Sequence, residues 1–499
     1  MKKRNVCIIL TLLLLGFLTS GLFLSSCANN DKQTSDTNKS KDEGEAGDNS
    51  PDDSESKNDD GVMFKGMNFD NQEVRILSYA GTTSFDLEEA SADIVEDEIY
   101  KRNMRVQDQL GVVFKFIKSE EEDSNDLVVR TVRSDTDDFD IIVGVQHECV
   151  KLVTENVFLN MLDLPNLDFN NIWWAKNYID ELRVGNDRIF FATGDVSPGY
   201  IEWIGAMFYN KKLYKDYIGE NTEELYDIVL EGRWTIDLLN EMVKDIYADL
   251  DGNNKKSNDD LYGVNSITGG SADYYTYGSG IRATARDENG YPYMILNNER
   301  TIDFYDKLFY LYRRNPGTFY LPNSGENYNF MVEKFIADEI LFHPGSFFTN
   351  DLLRGMKSDY GIIPYPKYLE SELGYKSLCH DASPLLCIPV TCTKENVIGP
   401  VLELLAYEGY QTVTPAYFNI VLKNKYMRDT DDRATMIVDM IRENAMTDFA
   451  HAYTLILNRV GFILRDLLYD GNKNFASQYN KIEEQVNASL EELINAYLN

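Results

Sequence analysis

At 499 residues, 43% of them hydrophobic, the chain is longer than one hydrophobic core usually serves, so two lobes are expected. Its formal charge of −34, from 82 acidic against 48 basic residues, makes nucleic acid and anionic membrane surfaces poor partners. The 32 tyrosines and 25 phenylalanines leave enough rings both for cores and for an aromatic ligand surface.

The first residues read as an export label. Met1-Lys2-Lys3-Arg4 precedes the apolar run 6–24, which ends in Leu24-Ser25-Ser26-Cys27; a charged start, an apolar stretch and a small-residue cleavage zone are the parts of a secretory signal. Leu-Ser-Ser-Cys resembles the bacterial lipobox. That resemblance implies that residues 1–26 are removed as a signal peptide and that Cys27 carries acyl chains such as palmitate, a membrane anchor on the outer surface of the cell membrane. The alternative is an uncleaved membrane anchor; either leaves the body outside. Residues 27–61 hold no aromatic residue and many more acids than lysines, so they are expected to form a disordered, self-repelling acidic linker. The body is residues 62–499.

Within the body, 73–79 (EVRILSY) reads as a strand. Residues 90–110 place Val95, Ile99, Val106 and Leu110 near the helical period, with Gly111 as a C-cap. A strand over 112–117, a helix through 127–133 and a continuous apolar strand over 140–144 follow. This βαβαβ order predicts an α/β lobe with a mostly parallel sheet, whose ligands sit off the carboxyl ends of the strands. Beyond it, 206–209 reads as a strand, 213–217, 235–248 and 302–312 as helices, and 339–343, 360–364 and 385–389 as strands. Tyr479, Ile482, Val486, Leu490, Leu493 and Tyr497 recur three or four apart and predict a final amphipathic helix. Apart from Cys7 and Cys27, the cysteines are Cys149, Cys379, Cys387 and Cys392. Their spacing fits no zinc pattern, and they read as buried free thiols, with a Cys379–Cys387 or Cys387–Cys392 bridge as the alternative.

Four landmarks stand in order along this body: Phe139-Asp140-Ile141-Ile142, Ala206-Met207-Phe208-Tyr209-Asn210-Lys211-Lys212-Leu213-Tyr214, Gly232-Arg233-Trp234-Thr235-Ile236-Asp237, and Asp359-Tyr360-Gly361-Ile362-Ile363-Pro364-Tyr365-Pro366-Lys367. Together they resemble the extracellular solute-binding proteins of bacterial ABC transporters, in particular the carbohydrate-type, family 1-like group. The resemblance implies a type II periplasmic-binding-protein-like fold: two α/β lobes, each a mostly parallel sheet flanked by helices, joined by crossover hinge strands. Mapped here, lobe one is about 68–198 and 345–395, and lobe two about 205–338 and 407–499. The crossovers then fall near 200–204, 341–345 and 398–406. The resemblance also implies an ABC permease as partner and neither cofactor nor metal.

A sugar presents hydroxyls around a ring with apolar faces, so its site needs aromatic platforms and hydrogen-bonding side chains. By the carboxyl-end rule, Gln146, His147 and Glu148 follow one central strand, and Ser78 and Tyr79 end another. Trp203 stands just before the first crossover. Of the pair Trp173 and Trp174, one is expected packed and the other exposed. Tyr274 and Tyr275 lie in the ring-dense, glycine-flanked stretch 269–278, read as a loop; Phe347 and Phe348 follow the second crossover; His380 and Asp381 lie in the returning segment. For each of these the alternative is an ordinary core or surface residue. Trp234 reads as structural, with Thr235 as an N-cap. The loop 249–263 looks like a calcium loop, but its glycine stands fourth rather than sixth, no bidentate Glu closes it and Lys255 and Lys256 sit inside it. A metal-free polar turn is the first reading and calcium the alternative.

Catalytic signatures are thin. The four histidines make no two-histidine zinc spacing, and neither a phosphate loop nor a serine-hydrolase elbow is present. The expected function is therefore a tethered binder that captures a mono- or oligosaccharide for an importer. A secreted glycosidase-type enzyme, needing only two placed carboxylates, and a surface adhesion or scaffold lipoprotein are the alternatives.

Overall fold

Side-chain alternation along Gln72–Tyr79 lays out the first sheet in the computed structural model. Val74 and Ile76 go to one face and Leu77 and Tyr79 to the other, all buried. The structure describes residues 63–498 except 80–84, 86, 120, 268 and 424–430; the expected signal, Cys27 and the linker lie outside the described residues. Gln72–Tyr79 pairs in parallel with Val112–Ser119 on one side and Ile141–Val145 on the other, and Pro384–Cys387 adds an antiparallel edge. Helix Ile94–Leu110 covers the Val74 face together with helix Glu395–Glu408. Asp93 caps its start by accepting from the backbone N–H groups of Val95 and Glu96, and Gly111 ends it at φ 59°. Asp140 pins the strand order from inside: its buried carboxylate accepts from the Arg75 guanidinium (2.7 Å) and from Lys394 (3.0 Å). Burial raises this carboxyl, and the two cations more than reverse that, so it stays below its ordinary range.

The second sheet runs Tyr360–Ile363, Gly205–Asn210, Ile340–Ser346, Leu261–Ile267, Tyr247–Ala248, with Thr318–Leu321 also paired to Leu261–Ile267. Gly205–Asn210 is antiparallel to both neighbours, while Ile340–Ser346 and Leu261–Ile267 run parallel. Two expectations change here. The helix read over 235–248 stops at Val243, after starting on the Thr235 cap, and Tyr247–Ala248 joins the sheet. Gly263 and Gly317 bring backbone against Val243 so closely that a Cβ on Gly317 would lie 1.7 Å from its carbonyl oxygen. Tyr360–Ile363, counted with 345–395 in lobe one, belongs to this second sheet, and from that segment only Pro384–Cys387 joins the first.

Short extended segments connect the two sheets. Ile204 bridges Cys379, and Ser377–Leu378 pairs in parallel with Ala445–Met446. The chain passes from the first sheet to the second at Ile204 and returns through residues 377–379. The crossover expected at 200–204 ends on this ladder. Residues 341–345 instead lie inside second-sheet strand Ile340–Ser346, and 398–406 inside helix Glu395–Glu408. A short apolar run reads alike as a crossover, a buried strand or a buried helix. Cys149, Cys379, Cys387 and Cys392 are buried free thiols. Among the described residues no helix is long and apolar enough to cross a membrane.

Candidate functional site

Leu261–Ile267, Thr318–Leu321 and Ile340–Ser346 share one direction in the second sheet, and the residues after their carboxyl ends surround a cleft of about 480 Å³. Ile267, Gly270, Ser271 and Tyr274 line it after the first strand, Asn323 to Gly325 and Tyr328 after the second, and Ser346 and Phe348 after the third. Trp203, His380 and Asp381 come from the connecting segments, and Arg465 from helix Ile463–Tyr469.

Trp203 is the hub. It ends the short helix Pro198–Glu202, stacks on Phe348 with centroids 5.6 Å apart at 18°, and tilts against His380 at 5.3 Å. Its carbonyl accepts from the Tyr274 hydroxyl (3.1 Å) and the His380 backbone N–H (3.0 Å), so both walls are tied to the crossover backbone. Tyr274 stacks on Tyr365 at 5.3 Å. Two glycines make room for these rings: a Cβ on Gly205 would lie 2.4 Å from Tyr274, and one on Gly270 would lie 2.7 Å from His380 Nε2. The result is an aromatic floor with hydroxyl, amide, imidazole and carboxylate groups around it.

Charges beneath the cleft are paired. His380 Nδ1 lies 2.8 Å from Asp381 Oδ1, and Arg465 donates to Asp273 at 2.6 Å. Burial lowers the His380 imidazole, but Asp381 outweighs it and the net shift is upward. Asp381 itself is raised by burial and pulled well below the usual carboxylate range by His380. Burial pushes Asp273 up to about 7 despite Arg465. Two further histidines, His343 and His451, are fully enclosed, and burial holds each down at about 3.

These shifts fix a pH dependence. Between pH 6.5 and about 3 the unfolded chain takes up protons at His343 and His451 before the folded one, so stability falls with acidification, at about 1.4 kcal/mol per pH unit for each ring. Asp273 has the opposite sign: it binds its proton in the folded state first, and that contribution is lost as pH rises from 3.8 to about 7. The His380 contribution is complete below 6.5 and disappears as pH climbs through its raised folded value. Summed over these four groups, stability is greatest near about pH 6.5 and falls on both sides. His380→Gln should flatten the alkaline limb and His343→Gln the acid limb. A profile rising steadily into the alkaline range would contradict the assignment.

Of the residues expected from sequence, Trp203, Tyr274, His380 and Asp381 meet in this cleft. His147 stands behind it, its backbone N–H donating to the Asp381 carbonyl at 3.1 Å and its ring Nδ1 3.0 Å from the same oxygen. Four expectations are corrected. Tyr79 is buried, its hydroxyl donating to Asn125 at 2.9 Å. Gln146 is buried and accepts from the Tyr178 hydroxyl. Tyr275 packs edge-on against Tyr312 and Tyr365. Phe347 is buried while its neighbour Phe348 faces the cleft. The stretch 269–278 is a helix, Gly270–Gly278, rather than a loop, so successive tyrosines turn to different sides. Trp173 lines a different opening. Tyr328, Asn323, Ser346 and Arg465 were missed. The carboxyl-end rule, applied to the second sheet as it was to the first, points to all of these except Arg465, for which the sequence carries no signal.

The loop after Ala248 gathers Asp249, Asp251 and Asp260, whose carboxylate oxygens lie within 4.8 Å of one another. They accept from the loop's own backbone: Gly252 and Asn254 onto Asp249, Asn253 onto Asp251, and Leu250 and Ser257 onto Asp260. Lys256 lies over the Tyr247 ring at 4.7 Å. The carboxylates thus serve as turn-forming acceptors.

No protein-family model matches this sequence, and no curated protein does either. Solved structures do. The Listeria monocytogenes ABC substrate-binding protein Lmo0181, in complex with cycloalternan, is similar with a TM-score of 0.54 at 9% identity, over 85% of this chain and 100% of that one. An ABC transporter solute-binding protein from Thermotoga lettingae, bound with α-D-tagatose, is similar with a TM-score of 0.52 at 10% identity, over 84% and 100%. UgpB from Mycobacterium tuberculosis, in complex with glycerophosphocholine, is similar with a TM-score of 0.51 at 13% identity, over 85% and 99%. At these identities the likeness concerns the fold: a two-lobed α/β fold of the periplasmic-binding-protein type, as the four landmarks imply.

Proposed function

We propose that this chain, with the two-lobed fold of ABC solute-binding proteins, is itself an extracellular solute-binding protein that holds a mono- or oligosaccharide in the Trp203 cleft and delivers it to an ABC permease. The observation that carries the reading is the cleft itself. A stacked Trp203–Phe348 floor and Tyr274 offer apolar platforms, and Ser271, Asn323, His380 and Asp381 ring them with hydrogen-bonding groups. Two of the similar structures hold carbohydrate, cycloalternan and α-D-tagatose, which supports the same ligand class here. Ile204, residues 377–379 and Ala445–Met446 are the hinge about which the lobes close, and closure follows from a ligand that binds the closed form more tightly than the open one. The chain carries out no chemistry in this reading. Acylation of Cys27 and the acidic linker to residue 61 keep the body beside its importer, on the outer surface of the cell membrane.

Heating the protein with a panel of mono- and oligosaccharides tests this, because a ligand that binds only the folded state raises the melting temperature by mass action. At least one saccharide is expected to do so. Turnover of a chromogenic glycoside would favour the enzyme reading instead, and a flat panel with strong cell-wall adhesion the scaffold reading. Gly270→Ala gives a local check. The added Cβ displaces the His380 ring and leaves the core untouched, so the variant is expected to melt within a few degrees of the parent while the saccharide-induced shift shrinks.

A further inference from the structure

A second opening, of about 400 Å³, lies on the other side of the connecting segments. His380 turns into the cleft, whereas the adjacent Cys379 thiol donates to the Tyr200 carbonyl at 3.5 Å, and Tyr200 lines this second opening. Successive side chains of extended backbone point to opposite faces, so the two openings are back to back.

The back opening is built around fixed rings. Trp173 and Trp174 both donate their indole N–H to Glu403, at 2.8 and 3.0 Å. The same buried carboxylate also accepts from Asn171 Nδ2 (2.7 Å) and the Asp168 backbone (3.1 Å). With its N–H satisfied from inside and its edge set against Tyr407 at 5.2 Å, Trp173 is locked in place and only half-buried. Tyr410 also lines the opening, carried on a π-helical turn, Gly409–Val413, of the kind often found at functional sites. In the wall the Arg442 guanidinium holds Asp195 at 2.9 Å, so these two charges cancel. The exposed side chains of Lys176, Asn177 and Glu443 stand at the rim, one cation against one carboxylate.

A rigid aromatic platform, planar hydrogen-bonding groups and a neutralised ion pair are the chemistry that fits a neutral polyhydroxylated ring. The walls come from both lobes. Ala192, three residues before Asp195, bridges first-sheet strand Pro384–Cys387. Arg442 stands in the last turn of helix Asp432–Glu443, which Arg433 ties to Asp227 of helix Glu224–Leu230 at 2.6 Å. We propose that this back opening is a second saccharide-binding site, distinct from the cleft and seated behind the hinge. It stands on its own geometry and does not depend on what fills the cleft.

Saturation-transfer NMR on the Trp203→Ala protein, in which the cleft platform is removed, tests it with four probes: methyl α-glucoside, methyl β-galactoside, maltotriose and cellotriose. At least one probe is expected to bind, and Trp173→Phe and Tyr410→Ala, each added to that background, are each expected to weaken binding by about tenfold or more. Should Trp173→Phe disturb the Glu403 network and unfold the chain, Tyr410→Ala decides alone, since its ring stands half-exposed at the rim. No binding by any of the four, or binding that survives Tyr410→Ala, overturns the proposal.

Discussion

Trp203→Ala is expected to keep the fold and lose the cleft ligand, with affinity falling by about a hundredfold, or roughly 2.7 kcal/mol. The size of the loss follows from what the ring does. It forms the floor with Phe348 at 5.6 Å and braces His380 at 5.3 Å, so its removal takes away a platform and loosens two other contacts. The fold survives because Trp203 serves the architecture through its carbonyl, which accepts from Tyr274 and from the His380 backbone whatever side chain it carries. Trp203→Phe keeps a smaller platform and should fall between the two. Calorimetric titration with the saccharide that raises the melting temperature most checks the series; equal affinity in all three proteins would place the ligand elsewhere.

The second large effect concerns stability. Glu403 lies inside helix Glu395–Glu408 at 3% exposure and accepts four hydrogen bonds, two on each oxygen. Burial raises its carboxyl pKa, and the donors around it offset only part of that rise. Glu403→Ala leaves two indole N–H groups, one amide and one backbone N–H with nothing to meet, at about 1–3 kcal/mol for each donor left buried. A total loss of about 3–5 kcal/mol is expected, after the gain from removing a desolvated charge. Glu403→Gln separates charge from hydrogen bonding. Whichever oxygen becomes NH2, it confronts an N–H donor, so the conservative variant is expected to be nearly as damaging as alanine. Denaturant titration reads both: a lowered midpoint at unchanged slope is the expected result, and a glutamine variant as stable as the parent would contradict the network.

Much of this architecture was legible in the residues because burial leaves periodic marks. The βαβαβ order from 73 to 144 shows as alternating strand and helix periods closed by Gly111, and the structure forms every element in that order, with the second helix starting six residues earlier than expected, at Glu121. The crossovers were harder. Ile340–Ser346 is buried throughout and helix Glu395–Glu408 is buried from Val397 to Ala406, and stretches buried on every side lose the periodicity that tells strand from helix and linker from core. Two of the misses in the cleft are one-residue misses. Tyr274 faces the solute space while Tyr275 packs against Tyr312, and Phe348 faces it while Phe347 is buried. On a helix each residue turns about 100° from the last, so composition marks the ring-rich turn and only packing decides which ring points out. Tyr79 and Gln146 obey the carboxyl-end rule in position, yet Asn125 and Tyr178 draw them inward, a pairing no local pattern announces.

Closure of the two lobes over a solute held against Trp203 is expected to make the loaded protein more compact. Small-angle X-ray scattering of the protein, with and without a saturating amount of the saccharide that raises its melting temperature most, measures that closure directly. A smaller radius of gyration and a shorter maximum dimension in the loaded protein are the predicted result. Superimposable scattering curves with the saccharide demonstrably bound would contradict it.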